Sequence, residues 1–330
     1  MKKIKSRLIY LLSSILFLMA CSGGTSDVTT IKLGHTLDTQ HPVHVSLEYF
    51  GEELARLSKG TMDVTIFSSG QLGNERELLE LIQIGTIGMT KVSASSMEAF
   101  VPQMQVFTLP YLFNDSDHFW KTLNSDVGQR LLDYGRDYRV KGLGYFDAGS
   151  RSFYTTSKRV ESPEDIAGMK IRVMNSQSAV DMVNTIGGSA TPISFGELYT
   201  ALQQGIVDGA ENNPPSFYFS KHFEVSQYYL LDEHTSIPDV IVIGTHRWNS
   251  LNAQQQAWLK QAMDAATEFQ KALWAESTQA SLAAVKAAGV EVITADKSLF
   301  QAKVQPLYDR LEGQPIHALV KEIKALGESE

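Results

Sequence analysis

Cysteine is almost absent from this sequence of 330 residues, which contains a single one, Cys21. One cysteine excludes a disulfide framework within the chain, and a thiol nucleophile would have to be this same residue close to the N-terminus. The surroundings of Cys21 must therefore explain its presence.

The apolar run at the N-terminus is too short to cross a membrane. Four positive charges in residues 1–7 precede twelve residues, Leu8 to Met19, and Ala20 and Cys21 follow. A bilayer span needs about 20 apolar residues, whereas this order of charge, short apolar run and small residue is typical of a secretory signal peptide. We predict that residues 1–20 are removed on export.

The segment Leu18-Met19-Ala20-Cys21 also resembles the bacterial lipobox, in which the cysteine is lipidated and becomes the new N-terminus. Two alternatives remain open: Cys21 carries a lipid anchor, or the signal peptide is simply cleaved near it. The small polar residues 21–30 are predicted to tether this site to the fold.

Positive charge is scarce. The chain has 29 Lys and Arg residues against 37 Asp and Glu residues, and removing residues 1–20 leaves 25 against 37, a formal net charge of −12. Nucleic-acid binding requires a basic face, so a nucleic-acid partner is excluded. An anionic ligand would have to be held by local arginines and not by the overall field.

Familiar catalytic motifs are lacking as well. The sequence has no Gly-x-Ser-x-Gly, no Gly-Lys-Ser/Thr phosphate loop and no His-Glu-x-x-His. Gly142-Leu143-Gly144 begins like a dinucleotide-binding loop, but its third glycine position is Asp147 and a predicted strand surrounds it. We predict a protein that is not an enzyme and needs no cofactor.

His41, His44 and Glu48 could share one helical face and bind a metal ion. Pro42, however, fits the first position of a helix, which favours capping or surface histidines. We therefore predict no metal site.

No linker rich in Pro, Gly or Ser divides the chain, although a mature chain of roughly 300 residues exceeds what one core supports. Predicted strands and helices alternate, which indicates an α/β fold with two lobes joined by short crossings. We expect lobe I to contain residues 27–149 and about 238–277, and lobe II to contain residues 150–237 and about 278–330.

Glycine and proline are also missing from Thr245 to Ala288, and residues 253–288 are dense in strong helix formers. A helix of this length would extend for about 54 Å, well beyond one small domain. We predict one long helix that spans both lobes and ends before Gly289.

Two helix starts are predicted from capping signals. Ser162-Pro163-Glu164-Asp165 combines a cap, a proline and two acidic residues. Ser194-Phe195-Gly196-Glu197 reads as a capping box before a helix from Phe195 to Val207, whose apolar face would include Leu198, Leu202 and Ile206.

Three polar stretches lie where strands are predicted to end, the edge at which open α/β sheets bind ligands. They are Gly149 to Phe153, Lys170 to Asn175 and Asp208 to Pro215. Arg172 lies among apolar residues in the second stretch, and burying its charge is costly unless something pairs with it. The residues alone leave two interpretations open, a structural salt bridge or a clamp for a carboxylate.

Several motifs together resemble the solute receptors of tripartite ATP-independent periplasmic (TRAP) transporters. They are Gly70-Gln71-Leu72-Gly73 with Glu75 and Glu77, Phe107 to Phe113, Gly168 to Arg172, Thr191 to Tyr199 and Gly205 to Asn212. The resemblance covers nearly all of the mature chain. It implies two periplasmic-binding-protein-like lobes and a membrane partner driven by an ion gradient, and we expect a monomer in the periplasm.

The resemblance also implies a binding site. Arg172 would hold the substrate carboxylate, Arg151 would support it, Asn212 would orient it and Phe195 would pack on the ligand body. The remaining members of the predicted ligand-binding set are His35, Glu75, Ser93, Asn175, Asn213 and Asp239.

The substrate is predicted to be a small organic acid. A dicarboxylate or keto acid would need a second cation or a metal in the first lobe, and none is evident in the sequence. Polar residues that include the run Asp232-Glu233-His234-Thr235 favour a hexuronate or related sugar acid, although that run could also be a solvated loop. Alternatives are a C4-dicarboxylate or keto-acid receptor, a periplasmic sugar-acid enzyme and a receptor that signals to a chemosensor.

Overall fold

The computed structural model describes residues 28–328. The predicted signal peptide, Cys21 and most of the predicted tether lie outside this range. Within it, no helix has the length and apolar character to cross a membrane.

Eleven strands of the described residues form two sheets. The strands are β1 (Thr29–Gly34), β2 (Met62–Phe67), β3 (Met89–Ser93), β4 (Val140–Phe146), β5 (Ser150–Thr155), β6 (Lys170–Val173), β7 (Ser189–Pro192), β8 (Gly209–Asn212), β9 (Tyr228–Ser236), β10 (Asp239–Gly244) and β11 (Glu291–Thr294).

Thirteen α-helices of the described residues connect and cover these strands. They are α1 (Pro42–Leu57), α2 (Glu75–Gln83), α3 (Ala94–Met97), α4 (Ser116–Asn124), α5 (Asp126–Tyr134), α6 (Pro163–Ile166), α7 (Gln177–Ile186), α8 (Leu198–Gln203), α9 (Pro214–Phe219), α10 (Thr245–Ser250), α11 (Ala253–Ala287), α12 (Lys297–Asp309) and α13 (Pro315–Glu328).

The first lobe is built on a sheet with the order β2-β1-β3-β10-β4. Strands β1, β2 and β3 are parallel, and β10 inserts antiparallel to both of its neighbours, β3 and β4. All five residues of β3 and all six of β10 are buried, because helices cover the sheet. The register places Asp239 opposite Ser93, so the start of β10 and the end of β3 meet at one edge.

The second lobe is built on a sheet with the order β11-β9-β5-β8-β6-β7. Strand β8 is antiparallel to β5 and parallel to β6. Its register pairs Asn212 with Ser152 and Ala210 with Arg172. The three polar stretches of the sequence therefore lie on adjacent strands of one sheet.

Helix α11 crosses both lobes. Leu259, Met263 and Trp274 pack into a hydrophobic cluster of the first lobe, whereas Val285 belongs to a cluster of the second. Its start is fixed by a capping box between Asn252 and Gln255. The prediction of one long helix across both lobes is confirmed, with its last residue at Ala287.

The expected boundaries at 149/150 and 237/238 fall between β4 and β5 and between β9 and β10. That these two positions are the limits of the lobes stays a prediction. The last helix differs from expectation, since Ile316, Leu319 and Ile323 of α13 pack into a cluster of the first lobe and not of the second. Helices α4 and α5 contribute to the same cluster through Phe119 and Leu131.

The predicted helix from Phe195 to Val207 is shorter in the structure. A 3-10 turn covers Phe195–Glu197, α8 ends at Gln203, and the side chain of Ser194 makes no capping bond. Ile206 is 51 % exposed and does not join the buried face. The chain must turn at Gly205, with a positive φ of 67°, in order to enter β8. The predicted helix start at Ser162 is confirmed, since the Asp165 carboxylate accepts hydrogen bonds from Ser162.

Gln270 connects α11 to the crossing between β4 and β5. Its side-chain oxygen accepts from Asp147 N at 2.8 Å, and its Nε2 donates to Asp147 O at 2.8 Å. Gln270 is fully buried. Both backbone groups of Asp147 thus depend on one side chain for their hydrogen bonds.

We expect Gln270→Met to lower the free energy of unfolding by about 1 to 3 kcal/mol for each group left without a partner. Urea denaturation followed by circular dichroism measures the free energy of unfolding. The control is Gln261→Met, an exposed position on the same helix, where the change should stay within about 0.5 kcal/mol. Equal effects at the two positions would contradict a connecting role for Gln270.

Candidate functional site

A cleft between the two sheets encloses about 890 Å³ of empty space, counting the part that is open to solvent. Both lobes and α11 contribute to its walls. The first lobe and α11 supply Thr36, Leu37, His41, Asn74, Glu75, Arg76, Lys91, Ser93, Ser96, Ala99, Phe100, Ala148, Asp239 and Trp274. The second lobe supplies Arg151, Arg172, Met174, Asn175, Ile193, Ser194, Phe195, Asn212, Asn213, Ser216 and Ile237.

Arg172 lines the cleft from β6 and is 2 % exposed. Its Nε donates to Ile193 O at 2.8 Å, which fixes the plane of the guanidinium, while its buried Nη1 has no hydrogen-bond partner among the described residues. Burial lowers the pKa of Arg172, and the charge of Glu211 offsets this only in part. The side chain is therefore a buried cation whose free nitrogen can bind an anion.

Arg151 lies on β5, and its charge is balanced within the protein. Its Nε and Nη2 donate to the two carboxylate oxygens of Glu211, Nη2 also donates to Glu211 O at 2.7 Å, and Nη1 donates to Asn212 Oδ1 at 2.8 Å. Burial alone would lower the pKa of Arg151, but the charge of Glu211 and the hydrogen bonds to its carboxylate together outweigh burial and raise the pKa. The structural salt bridge that the sequence left open is made by Arg151 and not by Arg172.

His234 is a second cation next to the carboxylate of Glu211. His234 Nδ1 lies 2.8 Å from Asp232 Oδ2, and its Nε2 lies 3.6 Å from Glu211 Oε2, which is ion-pair distance but too long for a good hydrogen bond. Burial opposes the charge on this ring, yet the carboxylates of Asp232 and Glu211 together outweigh burial and raise the pKa of His234 to about 9. Burial likewise opposes the charge on Glu211, but Arg151 lowers the pKa of Glu211 to about 2. The run from Asp232 to Thr235, for which a solvated loop was one alternative, is part of β9 and is largely buried.

Three asparagines surround the two arginines. Asn212 Oδ1 accepts from Arg151 and from Asn213 N at 2.9 Å, so the amide nitrogen of Asn212 remains as a donor. Asn213 caps α9 by accepting from Ser216 N at 2.8 Å. Asn175 is exposed at the cleft wall, two residues after β6. All three predicted asparagines lie at the cleft.

The opposite wall carries two carboxylates that share one lysine. Glu75 Oε1 lies 3.2 Å and Asp239 Oδ1 lies 3.0 Å from the buried Lys91 Nζ. Burial alone would lower the pKa of Lys91, but the charges of Asp239 and Glu75 outweigh it and raise the pKa. Glu75 also accepts from Ser93 N at 3.1 Å and from Ser96 Oγ at 2.6 Å. The buried part of this wall therefore presents two carboxylates to one ammonium group. Arg76, whose Nε lies 3.1 Å from Glu80 Oε1, adds a second cation at its exposed edge.

The start of α2 positions Glu75. Asn74 caps the helix, and Glu77 Oε2 accepts from Asn74 N at 2.8 Å in a capping box. Gly73 has a positive φ of 112°, and a Cβ there would lie 2.5 Å from the Glu77 carboxylate oxygen. The turn predicted by Gly70 to Gly73 is therefore the element that directs Glu75 toward Lys91.

Phe195 lies at the cleft, with its ring edge-on to that of His222 at 5.6 Å between centroids. Its helix is shorter than predicted, but its position beside Ile193 and Ser194 leaves part of the ring facing the cleft. Ser93 contributes through its backbone N–H, which holds Glu75, and is otherwise buried.

His35 does not reach the cleft wall, contrary to expectation. Leu37 N donates to His35 Nδ1 at 3.1 Å, and His35 Nε2 lies 2.9 Å from His44 Nδ1. His44 Nε2 in turn lies 3.3 Å from Glu48. Burial, the charge of Lys91 and the charge of His44 lower the pKa of His35 to about 3. Both ring nitrogens are engaged, and His35 is not among the residues that line the cleft.

His41, Lys91, Trp274 and Ser216 are among the cleft-lining residues that the sequence analysis did not include in the predicted site. His41 caps α1 by accepting from Val43 N, as the capping interpretation predicted, but it is buried beside Trp274 and Ser216 and not on the surface. Lys91 gave a weaker signal than Arg172, because its strand also contains Thr90 and Ser93. Trp274 and Ser216 gave no local signal, because only tertiary packing brings α9 and α11 to the cleft.

The buried cluster of His234, Asp232 and Glu211 generates a pH dependence. The pKa of His234 is raised in the fold from its ordinary 6.5 to about 9. Its contribution to stability is therefore complete below pH 6.5 and is lost as the pH rises through about 9. We expect the wild-type melting temperature to fall by about 3 °C or more between pH 6.5 and 9.5 beyond the fall seen in His234→Gln.

Differential scanning calorimetry at pH 6.5, 8 and 9.5 measures this difference. His246→Gln, at an exposed position, is the control and should show the wild-type pH profile. Parallel profiles for wild type and His234→Gln would mean that His234 is neutral in the fold.

Comparisons with known proteins identify the family of this chain. The family model of bacterial extracellular solute-binding proteins, family 7 (DctP), matches residues 33–314. A Salmonella typhimurium protein, YiiZ, is 38% identical over 306 residues, which are 92% of this chain and 93% of that protein.

Two solved structures are close as well. A TRAP periplasmic solute-binding protein of Pseudomonas putida F1, with bound D-glucuronate, has a TM-score of 0.87 at 37% identity and covers 90% of this chain and 97% of its own. One of Sulfitobacter sp. NAS-14.1, with bound β-D-galacturonate, has a TM-score of 0.87 at 34% identity and covers 90% and 100%. This chain therefore belongs to family 7 of the bacterial extracellular solute-binding proteins, the solute receptors of TRAP transporters.

Proposed function

We propose that this receptor captures a hexuronate in the cleft, with Arg172 as the carboxylate clamp. The observation that carries the proposal is the free Nη1 of a buried guanidinium whose Nε is already fixed by Ile193 O. A guanidinium can hold a carboxylate through two parallel hydrogen bonds. The amide nitrogen of Asn212, whose oxygen is held by Arg151, supplies a further donor next to it.

The first-lobe wall favours hydroxyl groups over a second carboxylate. Glu75 and Asp239 present oxygen acceptors, and one lysine is shared between them. A sugar hydroxyl can donate to these oxygens, whereas the second carboxylate of a dicarboxylate would meet like charge. Asn175 and Asn213 add amide groups that can bind further hydroxyls.

The bound molecules of the two related structures support the same class. The Pseudomonas protein holds D-glucuronate and the Sulfitobacter protein holds β-D-galacturonate, and both are sugars with one carboxylate.

The family and the N-terminal sequence together support the proposed location and role of the receptor. The receptor works in the periplasm after removal of residues 1–20, either free or anchored through Cys21. It acts as a monomer that delivers its ligand to the membrane subunits of a TRAP transporter without converting it. Lobe I consists of residues 27–149 and about 238–277 together with α13, and lobe II of the remainder.

Arg172→Ala should weaken uronate binding strongly while leaving the receptor folded. Removing one partner of a buried charge pair costs about 2 to 5 kcal/mol, which is roughly thirty-fold to several thousand-fold in the dissociation constant. Arg172→Lys should also bind poorly, because an ammonium cannot form the planar fork. Isothermal titration calorimetry with D-glucuronate and D-galacturonate measures both.

The control for this experiment is Arg159→Ala, an exposed arginine of the same lobe that pairs with Glu161 and Glu291. Its affinity should match wild type. An Arg172→Ala affinity within about three-fold of wild type, less than ~1 kcal/mol, would move the carboxylate site elsewhere.

A thermal-shift panel of D-glucuronate, D-galacturonate, succinate and glucose tests the ligand class. Ligand at a hundred times the dissociation constant adds about 2.7 kcal/mol to the free energy of unfolding. We expect uronates to raise the melting temperature, and succinate and glucose to leave it unchanged. A shift with succinate alone would replace the proposal by a C4-dicarboxylate receptor.

Asp239→Asn should reduce the preference for uronates. The change removes an acceptor with a full charge, worth about 1.5 to 3 kcal/mol in a hydrogen bond, and leaves Lys91 paired with Glu75 alone. We expect roughly ten-fold weaker uronate binding and a smaller ratio between the succinate and uronate dissociation constants. Asp63→Asn, exposed on β2, is the control. An unchanged ratio would exclude Asp239 from ligand selection.

A further inference from the structure

A carboxylate of the first lobe binds the start of a helix in the second. Glu98, directly after α3, accepts hydrogen bonds from three donors at the start of α7. Ser176 Oγ donates to Glu98 Oε2, Ser178 Oγ donates to Oε1 at 2.9 Å, and Ser178 N donates to Oε1 at 3.2 Å. Glu98 lines no part of the cleft, so these contacts serve something other than direct ligand binding.

On both sides of this contact, neighbouring residues line the cleft. In the first lobe, Ser96 donates to Glu75, and the residue after Glu98, Ala99, lines the cleft. In the second lobe, Asn175 precedes Ser176 and lines the cleft. The contact therefore lies at the edge of the cleft and joins the two walls.

The chemistry of the contact is favourable. The first backbone N–H groups of a helix lack intrahelical partners and carry partial positive charge, so a carboxylate is stabilised there. Hydrogen bonds to an ionised acceptor are stronger than those between neutral groups. Among residues 28–328, Glu98 has no salt-bridge partner within 4.0 Å that could hold it in the first lobe when the lobes separate.

We propose that Glu98 is a positioning residue that acts as a latch between the lobes, stabilising the closed receptor and setting how long the ligand stays bound. A contact that exists only when the lobes are close shifts the equilibrium toward closure by its full strength. Its effect on affinity is common to every ligand of the cleft. The inference rests on the proposed function only in taking the cleft as the ligand site.

Stopped-flow fluorescence with D-glucuronate tests the latch, using Glu98→Ala, Glu98→Gln and Ser178→Ala. We expect Glu98→Ala to raise the dissociation rate about ten-fold and Ser178→Ala by less, because the backbone donor remains. The ratio of affinities for D-glucuronate and D-galacturonate should be unchanged in all three. Glu52→Gln, exposed on α1, is the matched control. An unchanged dissociation rate in Glu98→Ala, or a shift of the affinity ratio beyond three-fold, would overturn the latch.

The double variant separates a latch from two independent structural roles. If Glu98 acts through Ser178, then Glu98→Ala and Ser178→Ala together should change the dissociation rate no more than Glu98→Ala alone. Multiplying effects would contradict a shared contact.

A ligand-free measurement keeps this test distinct from the substrate proposal. Spin labels at the exposed positions Ile84 and Ile206, one in each lobe, report the distance between lobes in a Cys21→Ser background. Glu98→Ala should move the ligand-free distribution toward longer distances, whether or not any uronate binds. An unmoved distribution would overturn the latch, whereas loss of uronate binding in wild type would overturn only the proposed function.

Discussion

Two guanidinium groups are buried beside one cleft, and the protein balances the charge of only one. Glu211, the carboxylate held by Arg151, is also supported by His234, so it is not available to pair with Arg172. Burying a charge without a partner costs folding free energy. Removing one member of a buried ion pair is strongly destabilising for the same reason. On the proposed function, this cost lies in the binding surface and an anionic ligand would relieve it. The second lobe is therefore organised around keeping Arg172 unpaired by protein.

Opposite this cation, the first lobe has the reverse problem of two carboxylates and one ammonium. Lys91 keeps Glu75 and Asp239 close together without neutralising both. The second-lobe wall thus has excess positive charge, and it faces two carboxylates that Lys91 alone does not balance. Arg76, on the same wall as Lys91, is paired with Glu80. A molecule with an acid at one end and hydroxyl donors at the other complements both walls, whereas a symmetric diacid complements only one. Selectivity follows from this polarity and not from any single contact.

The sequence was informative where burying a single residue has a large free-energy cost. A charged side chain within an apolar strand drew attention to Arg172 without deciding between a salt bridge and a carboxylate clamp, and the absence of glycine and proline predicted α11. Local patterns failed where tertiary contacts decide. His35 and His41 are six residues apart and equally polar, but hydrogen bonds with Leu37 and His44 occupy both nitrogens of the first, and packing against Trp274 brings only the second to the cleft. Trp274 itself lies in a helix whose pattern gave no indication of a ligand wall.

Selection and retention of the ligand depend on different parts of this molecule. The groups that distinguish ligands lie on the inner walls, each fixed within its own lobe by partners such as Ile193 or Lys91. The contact from Glu98 to α7 lies outside those walls and joins the lobes directly. Observed affinity is the product of the intrinsic fit and the fraction of receptor that can close. A change at the edge of the cleft therefore scales all affinities together, and a change on a wall alters their ratio, so the two properties can vary independently on one fold.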